Sequence, residues 1–323
     1  MALKEIEVLE LLENYLIMNN DPKVIEEFIE TLREKKKRKE AEQLEMVLDE
    51  IRRKGKGIVK VLYEYHLIKD DTYQYLEALE KSSMLEADLV RELKEQKDYL
   101  GKVDKELKGM LYQPMLSIVL TFLVGIGLDK QAFNIFKSAN IKVADWLLPY
   151  KVLVDYPYIA IPIALVFLIG ITYLGTKWFI NSQIEKEIKL YKIASISYIL
   201  TKAKQPLKSI FELLADFEKS KKWKSLFIDI AERYAESFRE QIKPLLKYFD
   251  SLTEVRFLLT AERDEALAWK FLKEKSKETM KFKIEKIKTT FSAIVSFLPW
   301  IIILIVALPF FSAILTVMSK VNF

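Results

Sequence analysis

Residues 110–128 read MLYQPMLSIVLTFLVGIGL and contain no charged side chain. A second uncharged stretch, YPYIAIPIALVFLIGITYLGT, occupies residues 156–176, and a third occupies residues 291–318. A helix that crosses a bilayer needs roughly 20 predominantly apolar residues, and all three stretches meet that length. A buried helix of a soluble core is the alternative, but it fits three such runs in a chain of 323 residues poorly. The sequence therefore predicts three transmembrane helices.

The uncharged stretches divide the chain into seven parts. Lysines are more numerous before the first stretch, after the second and before the third than in the intervening loop and the tail. Because basic residues favour the cytoplasmic side, both charge-rich blocks and the N-terminus are expected there, with the C-terminus on the far side. The predicted order is helical domain 1 (1–109), span 1 (110–128), outer loop (129–155), span 2 (156–176), helical domain 2 (177–290), span 3 (291–318) and outer tail (319–323).

The two charge-rich blocks have the residue pattern of helices. Their apolar residues recur at spacings of three and four, and the alternation typical of strands is almost absent. Asp21 and Pro22 indicate a helix N-cap followed by the first helical residue, Gly55 indicates a helix end, and Asp70 indicates another start. We therefore expect an all-α integral membrane protein with two cytoplasmic helical bundles.

The two blocks also resemble each other. Segment 14–28, NYLIMNNDPKVIEEF, is similar to segment 197–211, SYILTKAKQPLKSIF, and two further segment pairs follow at almost the same separation. The pairing sets these residues opposite one another: Pro22 and Pro206, Leu62 and Leu245, Glu80 and Glu262. Each block then continues through a lysine-rich helix into a span. The pattern predicts an internal duplication.

Glu80 and Glu262 are the polar residues of greatest interest in these blocks. Helical spacing places each carboxylate on the apolar face of its helix. A buried carboxylate must be paired or protonated, so each could form a polar joint between helices or an interface to a partner or a metal ion. Alternatively, each is a rim residue whose tip reaches water.

A dense basic run and a set of absent motifs complete the inventory. Lys35, Lys36, Lys37, Arg38 and Lys39 could contact anionic headgroups, although a solvated helix end explains such a run more simply. The near balance of 51 basic and 46 acidic residues does not indicate a nucleic-acid binder. The chain has no cysteine and no phosphate-binding, GxSxG or HExxH motif. No enzymatic activity, cofactor or cysteine- or histidine-based metal site is therefore expected.

The chain resembles a known family, the inner-membrane platform proteins of type II secretion systems and type IV pilus machines (the F-protein family). In that family each domain carries a phrase like "aGEesGnL…aL", matched here by LEALEKSSMLEADL and LLTAERDEAL, and an earlier phrase like "ll.aGlpl..al", matched by LIMNNDPKVIEEF and LTKAKQPLKSIFEL. The aliphatic-Tyr-Pro entry into the membrane corresponds to KELKGMLYQPML, with Tyr112 and Pro114.

The chain departs from the family pattern at its glycines and at the membrane entry. Asn20 and Lys204 stand where glycine is usual, Ser82 or Ser83 and Asp264 fall near the other usual glycine, and Gln113 separates Tyr112 from Pro114.

The resemblance implies a non-enzymatic scaffold in the bacterial cytoplasmic membrane, with the outer loop and the C-terminus in the periplasm. Its expected partners are a hexameric assembly ATPase, other inner-membrane pilus or secretion proteins, pilins or pseudopilins, the lipid bilayer and further copies of the chain. It implies that the protein couples the ATPase to the growth of a filament.

Two other function classes compete with the platform interpretation. A membrane transporter or channel subunit predicts charged groups within the spans, and the three stretches contain none. A membrane-anchored helical tethering or signalling protein would not require the duplicated arrangement of domain and span.

Overall fold

The computed structural model describes residues 3–140, 145–306 and 308–321, which fold almost entirely into α-helices. The first half contains α1 (Glu5–Ile17), α2 (Lys23–Glu34), α3 (Arg38–Lys54), α4 (Ile58–Glu64), α5 (Asp70–Lys81) and α6 (Ala87–Ser138). A short 3-10 helix (Asp145–Leu147), α7 (Leu148–Asp155) and α8 (Pro157–Lys202) follow. The second half continues with α9 (Leu207–Phe217), α10 (Lys221–Glu232), α11 (Phe238–Leu246), α12 (Ser251–Ala261), α13 (Glu265–Val306) and α14 (Leu308–Val321). The predicted all-α fold is confirmed for the described residues, which contain no strand.

The helix boundaries follow local chemistry. Gly55 ends α3 with a φ of 59°, a left-handed conformation that glycine adopts without steric cost, as the sequence predicts. The helix start predicted at Asp70 is also confirmed, since α5 begins there with two acidic residues in its first turn. The start predicted at Asp21–Pro22 is one residue early, because Pro22 is the N-cap and α2 begins at Lys23. Asp21 still accepts a hydrogen bond from the Lys23 amide at 2.9 Å.

The chain divides into two compact units, each built from two segments. Unit 1 comprises Met1–Lys102 and Lys186–Thr279, and unit 2 comprises Val103–Glu185 and Met280–Phe323. Helices α6, α8 and α13 each contribute residues to both units.

Unit 1 contains both charge-rich blocks around one apolar core. The core of the first half is mainly aliphatic and includes the fully buried residues Leu9, Leu44, Leu62 and Leu76. The core of the second half combines aliphatic side chains with large aromatic ones. Among its buried aromatic residues are Phe211, Phe227, Phe257 and Trp269. The paired positions Leu62 and Leu245 are both fully buried, so both residues pack in the core of their halves.

The two halves of unit 1 share one succession of helices. Helices α1 to α6 correspond in order to the end of α8 and then α9 to α13. The first corner of each half is closed in the same way: the Asn20 amide bonds the Tyr15 carbonyl at 2.9 Å, and the Gln205 amide bonds the Leu200 carbonyl at 2.9 Å. This repeated corner supports the internal duplication, and it pairs Asn20 with Gln205.

Unit 2 contains the helices that match the membrane prediction. By length and composition, α6 and α8 are long and apolar enough to cross a membrane, and Leu308–Ser319 forms a shorter apolar helix. Only 25% of the apolar stretch of α6 and 6% of that of α8 is buried within the chain, unlike the core helix of a soluble protein. Two apolar helices thus support a membrane protein. The third span, within 291–318, stays a prediction.

Candidate functional site

Glu80 lies in the last turn of α5 and is exposed, which favours the rim residue over the buried joint among the two interpretations of the sequence. Its carboxyl group nevertheless covers the connection between α3 and α4, because a Cβ atom on Gly57 would lie 2.9 Å from Glu80 Oε1. Partial burial of this carboxyl group, followed by repulsion from Glu77, raises its pKa. The residue matches the rim interpretation, and a role in partner coupling stays a prediction.

Glu262 is also exposed, and it is the C-cap residue of α12 rather than part of the helix. Its exposure favours the rim interpretation as well. Glu80 lies two residues before the C-cap Ser82 of α5, so the two carboxylates occupy different positions in their halves. Helical spacing does not locate the Glu262 side chain, because α12 ends at Ala261, one residue before it.

The other residues singled out from the family resemblance lie at helix ends or in unit 2. Pro22 and Pro206 are the N-caps of α2 and α9, directly after the two equivalent corners. Tyr112 is an exposed side chain on α6, as expected of an aromatic residue at a membrane interface. Pro114 lies within the same helix, and its side chain is outside the described part of the chain.

The basic run forms the turn between α2 and α3 and the first residues of α3. Lys35 and Lys36 are exposed in the turn, and Arg38 and Lys39 are exposed at the start of α3. Lys37 is engaged by Glu7, with 3.2 Å between Nζ and Oε1. The run thus offers four exposed cations, and their contact with lipid headgroups stays a prediction.

The seam between the two halves was not predicted from the residue pattern. It is formed by α5 and the corner between α8 and α9. Gln205 donates a hydrogen bond from Nε2 to the Ala78 carbonyl at 3.1 Å. Tyr75 and Phe217 meet edge to face with ring centroids 6.0 Å apart. A groove of about 300 Å³ runs along this contact, lined by residues that include Gln74 and Leu213. We call this contact the α5 seam.

A second contact joins α6 of the first half to α8 and α13 of the second. Lys273, almost fully buried, forms an ion pair with Glu92. Tyr99 stacks edge to face on Tyr191 with centroids 5.0 Å apart, and its hydroxyl donates to the Lys277 carbonyl at 3.4 Å. These partners lie far apart in sequence, so residue spacing within one helix could not reveal them.

Asp129 is a further residue that the sequence did not single out. It follows the predicted first span directly, and α6 continues through it. Its side chain is fully buried, and neither carboxylate oxygen has a hydrogen-bond partner in the described part of the chain. An ionised carboxylate in that position would cost several kcal/mol, so the residue fits a neutral, protonated side chain.

The residues described above form exposed surfaces and contacts between helices, which are suited to binding. In the described residues no three His, Cys, Asp or Glu side chains converge as a metal site would require. Comparison with protein-family models, curated proteins and solved structures finds no match to this chain.

Proposed function

We propose that this protein is the cytoplasmic-membrane platform of a type IV pilus or type II secretion machine. In this role it couples a hexameric assembly ATPase in the cytoplasm to the addition of pilin or pseudopilin subunits. The observation that carries the proposal is the duplicated succession of six helices in unit 1, combined with helices that continue from it into apolar stretches. The family resemblance predicts the same organisation.

The backbone at the missing family glycines gives further support. Asn20 has a φ of 65°, Lys204 a φ of 57° and Ser83 a φ of 57°. By the corner hydrogen bonds the counterpart of Lys204 is Asn19, whose φ is 54°. This left-handed conformation is favourable for glycine and costs other residues roughly 1 kcal/mol. The turns therefore keep the conformation that a glycine would provide, although the side chains differ. The corresponding Asp264 is not among the residues with positive φ.

In the proposed role the two units have different functions. Unit 2 anchors the protein in the bilayer, with exposed Tyr158, Trp178 and Trp300 near the ends of the apolar stretches. Unit 1 presents the cytoplasmic surfaces, and its first half is the proposed ATPase contact because 1–109 enters the membrane only at its C-terminal end. The α5 seam holds both halves together, so that a force on one half reaches the other.

Co-purification from native membranes tests the proposal. A tagged full-length chain should retain an assembly ATPase and pilin-assembly proteins, and deletion of the gene should abolish surface filaments or secretion. Glu80→Gln and Glu262→Gln should keep the protein folded while weakening recovery of the partners. If the chain purifies alone and the deletion leaves filaments and secretion intact, the proposal is wrong.

Topology can be tested separately because the chain has no cysteine. A single cysteine at Lys204 should react with a membrane-impermeant maleimide only after cell lysis. A single cysteine at Lys137, in the outer loop, should react in intact cells. Reversed labelling would contradict the proposed orientation.

A further inference from the structure

Helix α12 carries an apolar stripe that no residue in the described part of the chain covers. Leu252, Val255 and Leu259 are 75%, 55% and 58% exposed, and their spacing of three and four places them on one side of the helix. The opposite side is packed normally, since Phe257 is fully buried. An exposed stripe of this kind on a helix of unit 1 marks a binding surface more often than a solvent-facing one.

The corresponding side of α5 is the side that forms the seam. Helix α5 follows the N-cap Lys69 and α12 follows the N-cap Asp250, so equal steps from the caps identify equivalent residues. Thr72 then corresponds to Thr253, and both are buried, which confirms the register. In the same register Val255 corresponds to Gln74 and Leu259 corresponds to Ala78.

These two α5 residues contact the corner of the other half. Gln74 and Ala78 line the groove of the α5 seam, and the Ala78 carbonyl accepts the hydrogen bond from Gln205. The exposed side of α12 is therefore equivalent to the side of α5 that packs on the corner between α8 and α9. In the described part of the chain no corner packs on the α12 side.

The first half of unit 1 has an exposed corner, between α1 and α2, that could pack on the α12 stripe. The corner between α1 and α2 is equivalent to the corner between α8 and α9, because both close with the same backbone hydrogen bonds. Asn20 stands there at the position of Gln205 and also carries a side-chain amide. Ile17 and Met18 of this corner are 51% and 60% exposed.

We propose that a second copy of this chain docks its α1–α2 corner on the α12 stripe and so repeats the α5 seam between two molecules. Both surfaces are apolar at the centre and exposed within one chain. Their borders carry charges of both signs, with Arg256, Arg263 and Glu262 beside the stripe and Asp21 and Lys23 beside the corner. The interaction does not depend on the proposed function.

The interface joins two different surfaces, so each copy has one stripe and one corner to offer. Such a heterologous contact produces a ring where the rotation closes and an open chain where it does not. This distinguishes it from a two-fold dimer, in which α12 would meet α12.

Cysteine cross-linking of the full-length protein in detergent tests the contact. Asn20→Cys and Leu259→Cys, the counterparts of Gln205 and Ala78 in the α5 seam, are made as separate variants of the cysteine-free chain, mixed and oxidised. The mixture should give a disulfide-linked dimer, and each variant alone should give little. Ile228→Cys on α10, also an exposed apolar position, replaces Leu259→Cys in the control mixture.

Two outcomes overturn the proposal. One is a mixed product no more abundant than that of the control mixture, and the other is efficient linkage of Leu259→Cys to itself. As a second measurement, Val255→Lys with Leu259→Lys should lower the oligomeric mass by sedimentation while leaving the thermal unfolding temperature unchanged, because both positions are exposed. An unchanged oligomeric mass would also count against the proposal.

Discussion

Replacement of Glu13 by glutamine should release α1 from α6. Glu13 Oε1 lies 2.6 Å from Arg91 Nε, and its Oε2 lies 2.6 Å from Lys94 Nζ. The glutamate side chain is only 9% exposed, whereas the arginine is 46% exposed. Hydrogen bonds to charged groups contribute about 1.5–3 kcal/mol each, and the exposure of the cations reduces that value. We expect Glu13→Gln to lower the free energy of unfolding by about 2–3 kcal/mol.

Thermal unfolding of the full-length protein in detergent measures the loss. For a domain of the size of unit 1, each kcal/mol shifts the midpoint by roughly 2–4 °C, so the expected drop is roughly 4–12 °C. Hydrogen exchange of α1 should accelerate at the same time. Glu10→Gln on the same helix is the control, because Glu10 is exposed and should change neither quantity. Equal midpoints and equal α1 exchange for both variants would refute the reasoning.

The ion pairs of Glu13 predict how the stability of the protein changes with pH. Burial would raise the pKa of Glu13, but the hydrogen bonds from Lys94 and Arg91 outweigh it and lower the pKa below 4.5. A lowered pKa in the folded state stabilises the protein at neutral pH, and this stabilisation is lost as the pH falls below 4.5. The difference in midpoint between wild type and Glu13→Gln should therefore shrink in acid. A difference that stays constant down to about pH 3 would contradict the ion pair.

Three further substitutions extend the test. Asp129→Asn should raise the unfolding midpoint, because it removes the cost of a buried, unpartnered carboxyl group, and a lower midpoint would reveal a partner for the carboxylate. Lys273→Met should cost about 2–3 kcal/mol by leaving Glu92 unpaired, and Lys273→Met combined with Glu92→Gln should recover part of that loss in the same melting assay. Lys204→Gly should raise the free energy of unfolding by about 0.5–1 kcal/mol, measured by denaturant titration, because its left-handed backbone favours glycine; destabilisation would mean that the lysine side chain is needed.

The features that the sequence predicted correctly are local. The helical content, the end of α3 at Gly55 and the start of α5 at Asp70 depend on spacing and on single residues at helix ends. The burial of Leu62 and Leu245 also follows from a local pattern, because both lie in similar apolar segments.

The features that the sequence missed depend on partners distant in the chain. Glu13 finds Arg91 on another helix, and Gln205 finds the Ala78 carbonyl in the other half. The apolar neighbours of Glu80 at helical spacing left a buried joint and a rim position equally open, because periodicity does not tell how much of a helix face a neighbouring helix covers. Periodicity shows which face of a helix is more apolar. Tertiary packing decides which residue at the edge of that face reaches water.

The strongest physical case for a partner comes from a comparison of the two equivalent helices. On α5 the docking side is covered by the other half, and its central residues are Gln74 and Ala78. On α12 the same side is bare, yet it carries Val255 and Leu259. A monomer would place the more apolar pair where it is covered, because each large aliphatic side chain gains about 1.5–3 kcal/mol on burial. The reverse distribution is expected when the α12 side is also covered, and two tandem repeats provide only one internal corner. We propose that the second corner comes from another copy, which is what the cross-linking of Asn20→Cys with Leu259→Cys detects.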